Sequence, residues 1–231
     1  MPILTDWKIE ISVDDVLRKQ GAKPEIIKSR SPHLYDIAEQ ARDDSKNLLD
    51  PFVMFDIQKI TAFSGNKLTL ESGVVFEGQI VEKHLGNAKH LLLAACTISD
   101  KLEKKVSESF KEDPAYALAL DAAGIASISN LSKSAKDYFK SSVIPKDTSI
   151  TMALNPGMVG WPIEEGQPPI FAVLGNISRK VTLTHTNLMV PAKSVSFIFG
   201  IGDEVNPHGS HCDECERRFT CFNSDYYNDG H

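Results

Sequence analysis

The sequence contains neither a long hydrophobic run nor a run of basic residues. Its 231 residues carry 25 Lys and Arg against 31 Asp and Glu, which gives a formal net charge of -6 at pH 7. No apolar stretch approaches the roughly 18 residues needed to cross a bilayer, and residues 1–10 lack the basic and then apolar pattern of a signal peptide. Nucleic-acid binding depends on clustered Lys and Arg. We therefore expect a cytoplasmic protein that binds neither nucleic acid nor a membrane.

The common catalytic motifs are also missing. The chain has no nucleophile elbow, no phosphate-binding loop and no paired-carboxylate motif. It has only four cysteines, and three of them lie close together near the C-terminus. In a reducing compartment clustered thiols indicate metal or redox chemistry before structural disulfides.

The order of predicted elements indicates the fold class. His90–Thr97 is a continuous apolar run typical of a central strand, and residues 52–62 and 67–76 predict a strand and a hairpin. Residues 148–153 and 181–186 predict two further strands. Helical patterns occupy residues 11–20, 31–49, 99–110 and 113–139, the last with Gly124 in its interior. Helices and strands alternate without the regular repeat of a doubly wound fold. We expect an α+β domain with a largely antiparallel sheet flanked by helices.

Two helix starts and one boundary are also predicted. Ser12 with Asp15 has the pattern of a capping box, and Ser31 followed by Pro32 has that of a capped helix start. The polar segment 203–231 differs in character from what precedes it. We expect one domain over residues 1–202, followed by a cysteine-containing tail over 203–231.

Three segments in the second half of the chain carry a resemblance to a known family. L-N-P-G-M at 154–158 is followed by G-W-P at 160–162 and by L-T-H-T-N-L-M-V-P-A-K-S-V-S at 183–196. In this order they resemble the activation domain of cobalamin-dependent methionine synthase. The match is best over residues 75–202 and weaker over 1–75, so the chain resembles a stand-alone member of that family.

The resemblance implies a fold and a function. The fold would be a curved domain around a twisted, mainly antiparallel sheet. In the family this domain docks over the cobalamin-binding domain when cobalt has oxidised to cob(II)alamin; an external donor supplies an electron, and S-adenosylmethionine remethylates the cobalt. The chain would then be an accessory protein, acting as part of a methyltransferase activity together with a separate corrinoid subunit. Its implied partners are a cobalamin-binding methyltransferase or corrinoid protein, which brings the cobalamin, and an electron-donor protein.

The resemblance also implies a set of candidate residues for S-adenosylmethionine and the corrinoid. These are Asn155, Pro156, Gly157, His185, Lys193 and Ser194. The chain departs from the family where Ala153 replaces an Arg, Met158 replaces a Tyr and a further Tyr falls near Pro207. Loss of the Arg removes a charged donor suited to the ligand carboxylate. The alternative is therefore a corrinoid-protein docking partner that has lost the methyl donor, with Pro156 and Gly157 kept as a structural turn.

The C-terminal cysteines form the other chemical motif. Cys212, Cys215 and Cys221 have a spacing found in zinc and iron–sulfur sites, but three thiolates leave one position open. Candidates for the fourth ligand are His208, His211, His231 and Cys96. A zinc ion would act as a staple, whereas an iron–sulfur cluster could deliver the electron and make the protein an electron carrier. Free redox-active thiols and a disulfide are the remaining alternatives.

Overall fold

The computed structural model describes residues 2–175, 180–210, 212–213 and 215–221. The strands are β1 (Ile3–Leu4), β2 (Phe52–Ser64), β3 (Lys67–Leu70), β4 (Val75–Glu77), β5 (His90–Thr97), β6 (Ser149–Ile150), β7 (Thr182–Leu183), β8 (Met189–Val190) and β9 (Ser194–Gly202). The helices are α1 (Val13–Lys19), α2 (Pro24–Arg30), α3 (Pro32–Ser45), α4 (Gln79–Leu85), α5 (Lys101–Ser109), α6 (Pro114–Tyr138) and α7 (Ile163–Leu174). A short 3-10 turn (Lys46–Leu48) follows α3, and a π turn (Phe139–Val143) extends α6.

The main sheet is antiparallel throughout and curls into a half-barrel. Its order is β4-β3-β2-β5-β9-β6, with β1 also paired to β2, while β7 and β8 form a separate hairpin. β5 lies in the middle, with Phe52 of β2 opposite Thr97 and Ser194 of β9 opposite the same residue on the other side. The predicted α+β class with an antiparallel sheet is confirmed.

Both faces of β5 are covered, which explains why its sequence is apolar without alternation. Leu91, Leu93 and Ala95 belong to a core cluster that includes α4 and α7 side chains. Leu92, Ala94 and Cys96 belong to a second cluster that includes the C-terminal half of α6. The sheet is therefore sandwiched between α7 on one face and α6 on the other.

Gly124 accounts for the close approach of α5 to α6. A Cβ atom at Gly124 would lie 2.7 Å from Cδ2 of Leu102 and 3.1 Å from Cε of Lys193. The small residue in this helix interior, which costs helix propensity, therefore makes room for two neighbouring side chains.

The helix starts are partly as predicted. Ser12 accepts from the Asp15 N–H at 3.1 Å, and Ser12 N–H donates to Asp15 Oδ2 at 2.9 Å, so the capping box is confirmed. The predicted helix start at Ser31 and Pro32 is confirmed, with Ser31 at the N-cap of α3 and Pro32 at its first position. The Ser31 side chain makes no capping hydrogen bond; Ser31 also ends α2, a helix that was not predicted, and its N–H donates to the Ile27 carbonyl. Among the described residues, no helix is both long and apolar enough to span a membrane.

Two predicted strands are shorter than expected. The strand predicted over 148–153 is reduced to β6, because Thr151 pairs with β9 partly through its side chain: Gly200 N–H donates to Thr151 Oγ1 at 3.0 Å. The strand predicted over 181–186 is reduced to β7, because residues beyond Leu183 form the turn of the β7–β8 hairpin. Both segments lie at the margin of the fold, where pairing partners are few.

Candidate functional site

The Pro156-Gly157 segment forms a tight, hydrogen-bonded loop before α7. Gly157 has φ +94°, a conformation that favours glycine, and its N–H donates to the Trp161 carbonyl at 2.7 Å. Pro156 packs against α7 at Gly166, where a Cβ atom would lie only 2.7 Å from Pro156 Cγ. The loop is therefore rigidly placed against the helix that it introduces.

Trp161 anchors this loop in the core. Its side chain is fully buried and its ring centroid lies 6.4 Å from that of Phe76. Of the two interpretations that an aromatic residue on a rigid loop allows, contact with a partner or filling of the core, the structure shows the second.

Polar side chains join the loop to β9. The Asn155 side-chain amide donates to the Ser196 carbonyl at 2.8 Å, and the Ser196 hydroxyl donates to Gln167 Oε1 of α7 at 2.8 Å. Leu154 and Ile198 exchange two backbone hydrogen bonds of 2.9 Å. The Asn155 side chain thus hydrogen-bonds a backbone carbonyl of β9 and holds the loop against that strand.

These elements enclose a cavity of about 480 Å³ on the α7 side of the sheet, which we call the turn cavity. Its lining includes Asn155, Pro156, Gln167, Met189, Ser194 and Ser196, and none of the described residues that line it is charged. Of the predicted site residues, the structure thus brings Asn155, Pro156 and Ser194 to one cavity. Gly157 lies behind them, where a Cβ atom would meet Ile163 Cγ1 at 3.3 Å.

His185 and Lys193 do not line the turn cavity. His185 is exposed at the tip of the β7–β8 hairpin, in a turn that Thr184 stabilises by accepting from the Leu188 N–H at 3.1 Å. Lys193 instead faces α5 and α6. Its ammonium group lies 2.7 Å from Asp121 Oδ1, and its backbone N–H donates to Glu103 Oε1 at 2.7 Å.

A second cavity, of about 530 Å³, lies on the α6 side of the sheet, and we call it the lysine cavity. Ala153 and Pro207, the positions where the chain departs from the family's Arg and Tyr, both line it. So do Lys136 and Lys140, which project from α6 and its extension. Sequence reasoning missed these lysines, although the spacing of Lys133, Lys136 and Lys140 places them on one helix face.

Lys136 is the most buried of these cations. Its ammonium group lies 4.9 Å from the centroid of the Phe197 ring. Desolvation by burial lowers the pKa of Lys136 from its usual range, and the nearby Lys140 acts in the same direction. The cavity therefore presents a partly dehydrated positive charge next to an aromatic face.

The cysteine tail begins at the rim of the lysine cavity. Pro207, Gly209 and Ser210 line the cavity, and the Cys212 N–H donates to Ser210 Oγ at 3.1 Å. The Cys215 N–H donates to the Cys212 carbonyl at 3.1 Å, so the C-x-x-C segment is a tight turn. All four cysteines are free thiols. The disulfide alternative therefore finds no pair in this structure.

The predicted metal site does not form a ligand set here. Within the described part of the chain, no three His, Cys, Asp or Glu side chains are gathered as they would be around an ion. His208 is exposed, and His211 and His231 lie outside the described residues. Cys96 is fully buried in β5, and burial raises the pKa of its thiol to about 12, which disfavours it as a ligand. Metal binding by Cys212, Cys215 and Cys221 stays a prediction.

Comparison with known proteins shows the fold. The crystal structure of the MetH reactivation domain bound to AdoHcy matches with a TM-score of 0.64, over 90% of this chain and 81% of that chain. The two sequences are 12% identical. No protein-family model matches the chain, and no curated protein does. The likeness therefore shows that this chain has the fold of the MetH reactivation domain.

Proposed function

We propose that the protein is a cytoplasmic accessory protein of a cobalamin-dependent methionine synthase or another corrinoid methyltransferase. It would support reductive reactivation, in which cob(II)alamin of the partner takes up an electron and is remethylated by S-adenosylmethionine. The observation that carries the proposal is the fold, which matches the MetH reactivation domain over 90% of this chain. That domain was solved with AdoHcy, the compound that S-adenosylmethionine becomes when it gives up its methyl group.

The lysine cavity is the better candidate for the methyl donor. Ala153 lines it, so the position at which the family has its Arg faces this space and not the turn cavity. Lys136 and Lys140 can replace the missing positive charge as donors to the ligand carboxylate. A volume of about 530 Å³ lies within the usual range of roughly 300–1,000 Å³ for small-molecule sites.

The Pro156-Gly157 loop would then support the wall of the lysine cavity through the backbone. Asn155 and the two Leu154–Ile198 hydrogen bonds hold the segment that carries Ala153 against β9. This placement keeps the cavity wall in register with α6. The candidate residues Asn155, Pro156 and Gly157 would thus hold the wall of the ligand site in place, and Ser194 would line the turn cavity.

The partner's reduced cobalamin would supply the methyl-accepting chemistry. This chain would hold the donor in line, keep water away from the sulfonium and neutralise the carboxylate. Exposed Leu188 and Val190 on the β7–β8 hairpin offer apolar contacts for a partner, next to His185 at the tip. The hairpin is therefore the candidate docking element for the corrinoid protein.

A docking protein without a methyl donor is the alternative. The observation that favours it is the turn cavity, which has no charged side chain in its lining within the described part of the chain, although it adjoins the loop that resembles the family's ligand turn. In that case the fold and the hairpin would serve partner binding alone, and the lysine cavity would not take S-adenosylmethionine.

Calorimetric titration with S-adenosylmethionine and with AdoHcy separates the two functions. We expect both to bind and Lys140→Gln to weaken binding about tenfold, as for loss of one charge-assisted hydrogen bond. Lys105→Gln is the control, because Lys105 is exposed on α5 and lines neither cavity. No heat at millimolar ligand would remove the methyl donor and leave the docking function.

Co-purification tests the docking itself. We expect the chain to associate with a cobalamin-loaded methionine synthase whose own activation domain has been removed, and Leu188→Glu to weaken that association. A chain that leaves the cobalamin-loaded protein unbound in both cob(II) and methylated states contradicts the proposed function as a whole.

The cysteine tail carries a further candidate, electron delivery. Its support is position, because the tail lines the same lysine cavity through Ser210 and Gly209. Anaerobic purification followed by metal analysis and a visible spectrum tests it. Brown protein that loses its colour in a Cys212→Ser variant supports an iron–sulfur carrier, and colourless protein with zinc or no metal removes that candidate.

A further inference from the structure

A groove of about 750 Å³ runs between the C-terminal half of α6 and the start of β9. We call it the α6 groove. The side chains that matter for its chemistry are Ser132, Lys133, Lys136, Asp137 and Lys140. Lys136 and Lys140 also face the lysine cavity, so the two spaces adjoin, whereas Lys133 lines the groove alone.

The groove is positively charged although the chain is acidic. Three ammonium groups line it against one carboxylate, that of Asp137, whereas the whole chain has a formal charge of -6. None of the three lysines forms an ion pair with a carboxylate among the described residues, whereas the partly buried Lys193 pairs with Asp121. Their spacing places them on one stripe of α6 and its π-turn extension.

One cation in the groove is partly dehydrated. Burial lowers the pKa of Lys136, whose ammonium group lies 4.9 Å from the centroid of the Phe197 ring. A partly buried cation is stabilised when an oppositely charged group lies next to it. A bound anion with several oxygens would supply that charge to Lys136 and could contact the neighbouring Lys133 and Lys140 as well.

We propose that the α6 groove binds the phosphate group of a small phosphorylated ligand. Phosphate offers several acceptor oxygens and close to two negative charges, whereas a carboxylate offers two oxygens and one charge. Three ammonium groups and the Ser132 hydroxyl line the groove as donors whose charge and hydrogen-bonding capacity match a phosphate, whereas the Ser129 hydroxyl already donates to the Ile125 carbonyl at 2.8 Å. This site goes beyond the methyl-donor function and does not depend on it.

Titration calorimetry at low ionic strength, where surface charges are least screened, tests the site with four probes. AMP and adenosine differ by the phosphate group alone, so AMP should bind and adenosine should not. Cobalamin and cobinamide distinguish the source of the phosphate, because cobinamide lacks the phosphodiester of the corrinoid's nucleotide. Preferential binding of cobalamin over cobinamide assigns the groove to a corrinoid phosphodiester, and binding of AMP alone assigns it to a free phosphorylated metabolite.

Matched variants place the binding in the groove. Lys133→Gln should weaken phosphate binding about tenfold and leave S-adenosylmethionine binding unchanged, because Lys133 does not line the lysine cavity. Lys133→Arg should restore part of the affinity, and Lys105→Gln should change nothing. Equal binding of AMP and adenosine, no binding of any phosphorylated probe at millimolar concentration, or an unchanged affinity in Lys133→Gln each overturns the proposal.

These measurements distinguish failure of the phosphate site from failure of the proposed methyl-donor function. Loss of phosphate binding with intact S-adenosylmethionine binding removes only this site. Loss of S-adenosylmethionine binding with intact phosphate binding removes the lysine cavity as the methyl-donor site and leaves the phosphate site in the α6 groove.

Discussion

The Ser196 hydroxyl donates a hydrogen bond of 2.8 Å to Oε1 of Gln167, and both side chains are buried. The bond joins β9 to α7 on the face that carries the turn cavity. Because neither group reaches water, each depends on the other for its hydrogen bond. The pair therefore ties the position of α7, and of the loop before it, to the sheet.

A double-mutant cycle should show this dependence. Ser196→Ala and Gln167→Met alone should each lower the free energy of unfolding by about 1–3 kcal/mol, because each leaves a buried polar group unpaired. The double variant should be less destabilised than the sum by about 1 kcal/mol. Urea unfolding measures all four proteins, and strictly additive losses would show that the two side chains are not coupled.

Gly166→Ala should destabilise the protein although alanine favours helices. A Cβ atom there would lie 2.7 Å from Pro156 Cγ and 2.8 Å from Trp161 Cε2. Overpacking of this kind costs about 1–3 kcal/mol, which exceeds the gain of about 1 kcal/mol in helix propensity. Thermal unfolding measures the change. The exposed Glu164→Ala in the same helix is the control and should be close to neutral.

Lys193→Gln should affect stability and leave ligand binding unchanged. Its ammonium group pairs with Asp121 at 2.7 Å, with side-chain exposures of 14% and 38%. Loss of this partly exposed pair should cost about 1 kcal/mol. Calorimetry with S-adenosylmethionine should give the wild-type affinity. A weakened affinity at unchanged stability would contradict the structural role and place Lys193 in the ligand site.

Thiol titration should show three cysteines that react fast and one that is protected from the reagent. Cys212, Cys215 and Cys221 are partly exposed, whereas Cys96 is fully buried. After treatment with a chelator, a thiol reagent should modify three cysteines within minutes and the fourth only when the chain unfolds. Cys96→Ala should keep the three fast thiols and lose the slow one. Fast reaction of all four would mean that β5 opens in the native state.

Stability should fall above pH 9 because of Cys96. Burial raises the pKa of this thiol from about 9 to about 12, so above pH 9 the unfolded chain loses a proton that the folded chain retains. The free energy of unfolding should then fall by about 1.4 kcal/mol per pH unit between pH 9 and 12. Tyr116, whose pKa burial also raises to about 12, adds to the decline. Urea unfolding of Cys96→Ala isolates the cysteine, since the variant should lose only the cysteine's share of the slope.

The fold class could be predicted from local patterns. β5 is apolar without interruption because both of its faces are covered, and such a run predicts a central strand from sequence alone. The capping box at Ser12 and the Pro156-Gly157 turn were also predictable, because each depends on residues close in the chain. Helix α2 was missed because the 3.6-residue pattern over Pro24–Arg30 buries only Pro24 among its residues.

The site was predictable only in part, because it depends on which distant residues meet. Asn155, Pro156 and Ser194 line one cavity, but Lys193, next to Ser194 in sequence, faces the opposite way toward Asp121. Adjacent residues at the start of a strand point to opposite sides, and the sequence does not say which side holds the ligand.

The sequence by itself determined the antiparallel α+β fold and the rigid turn, since these follow from periodicity and backbone conformation over a few residues. Only the tertiary structure brought Lys136 and Lys140 to the cavity wall that Ala153 forms and placed Trp161 in the core. The physical reason is that local propensity acts between neighbours in the chain, whereas a binding site is made by side chains that packing brings together from distant elements.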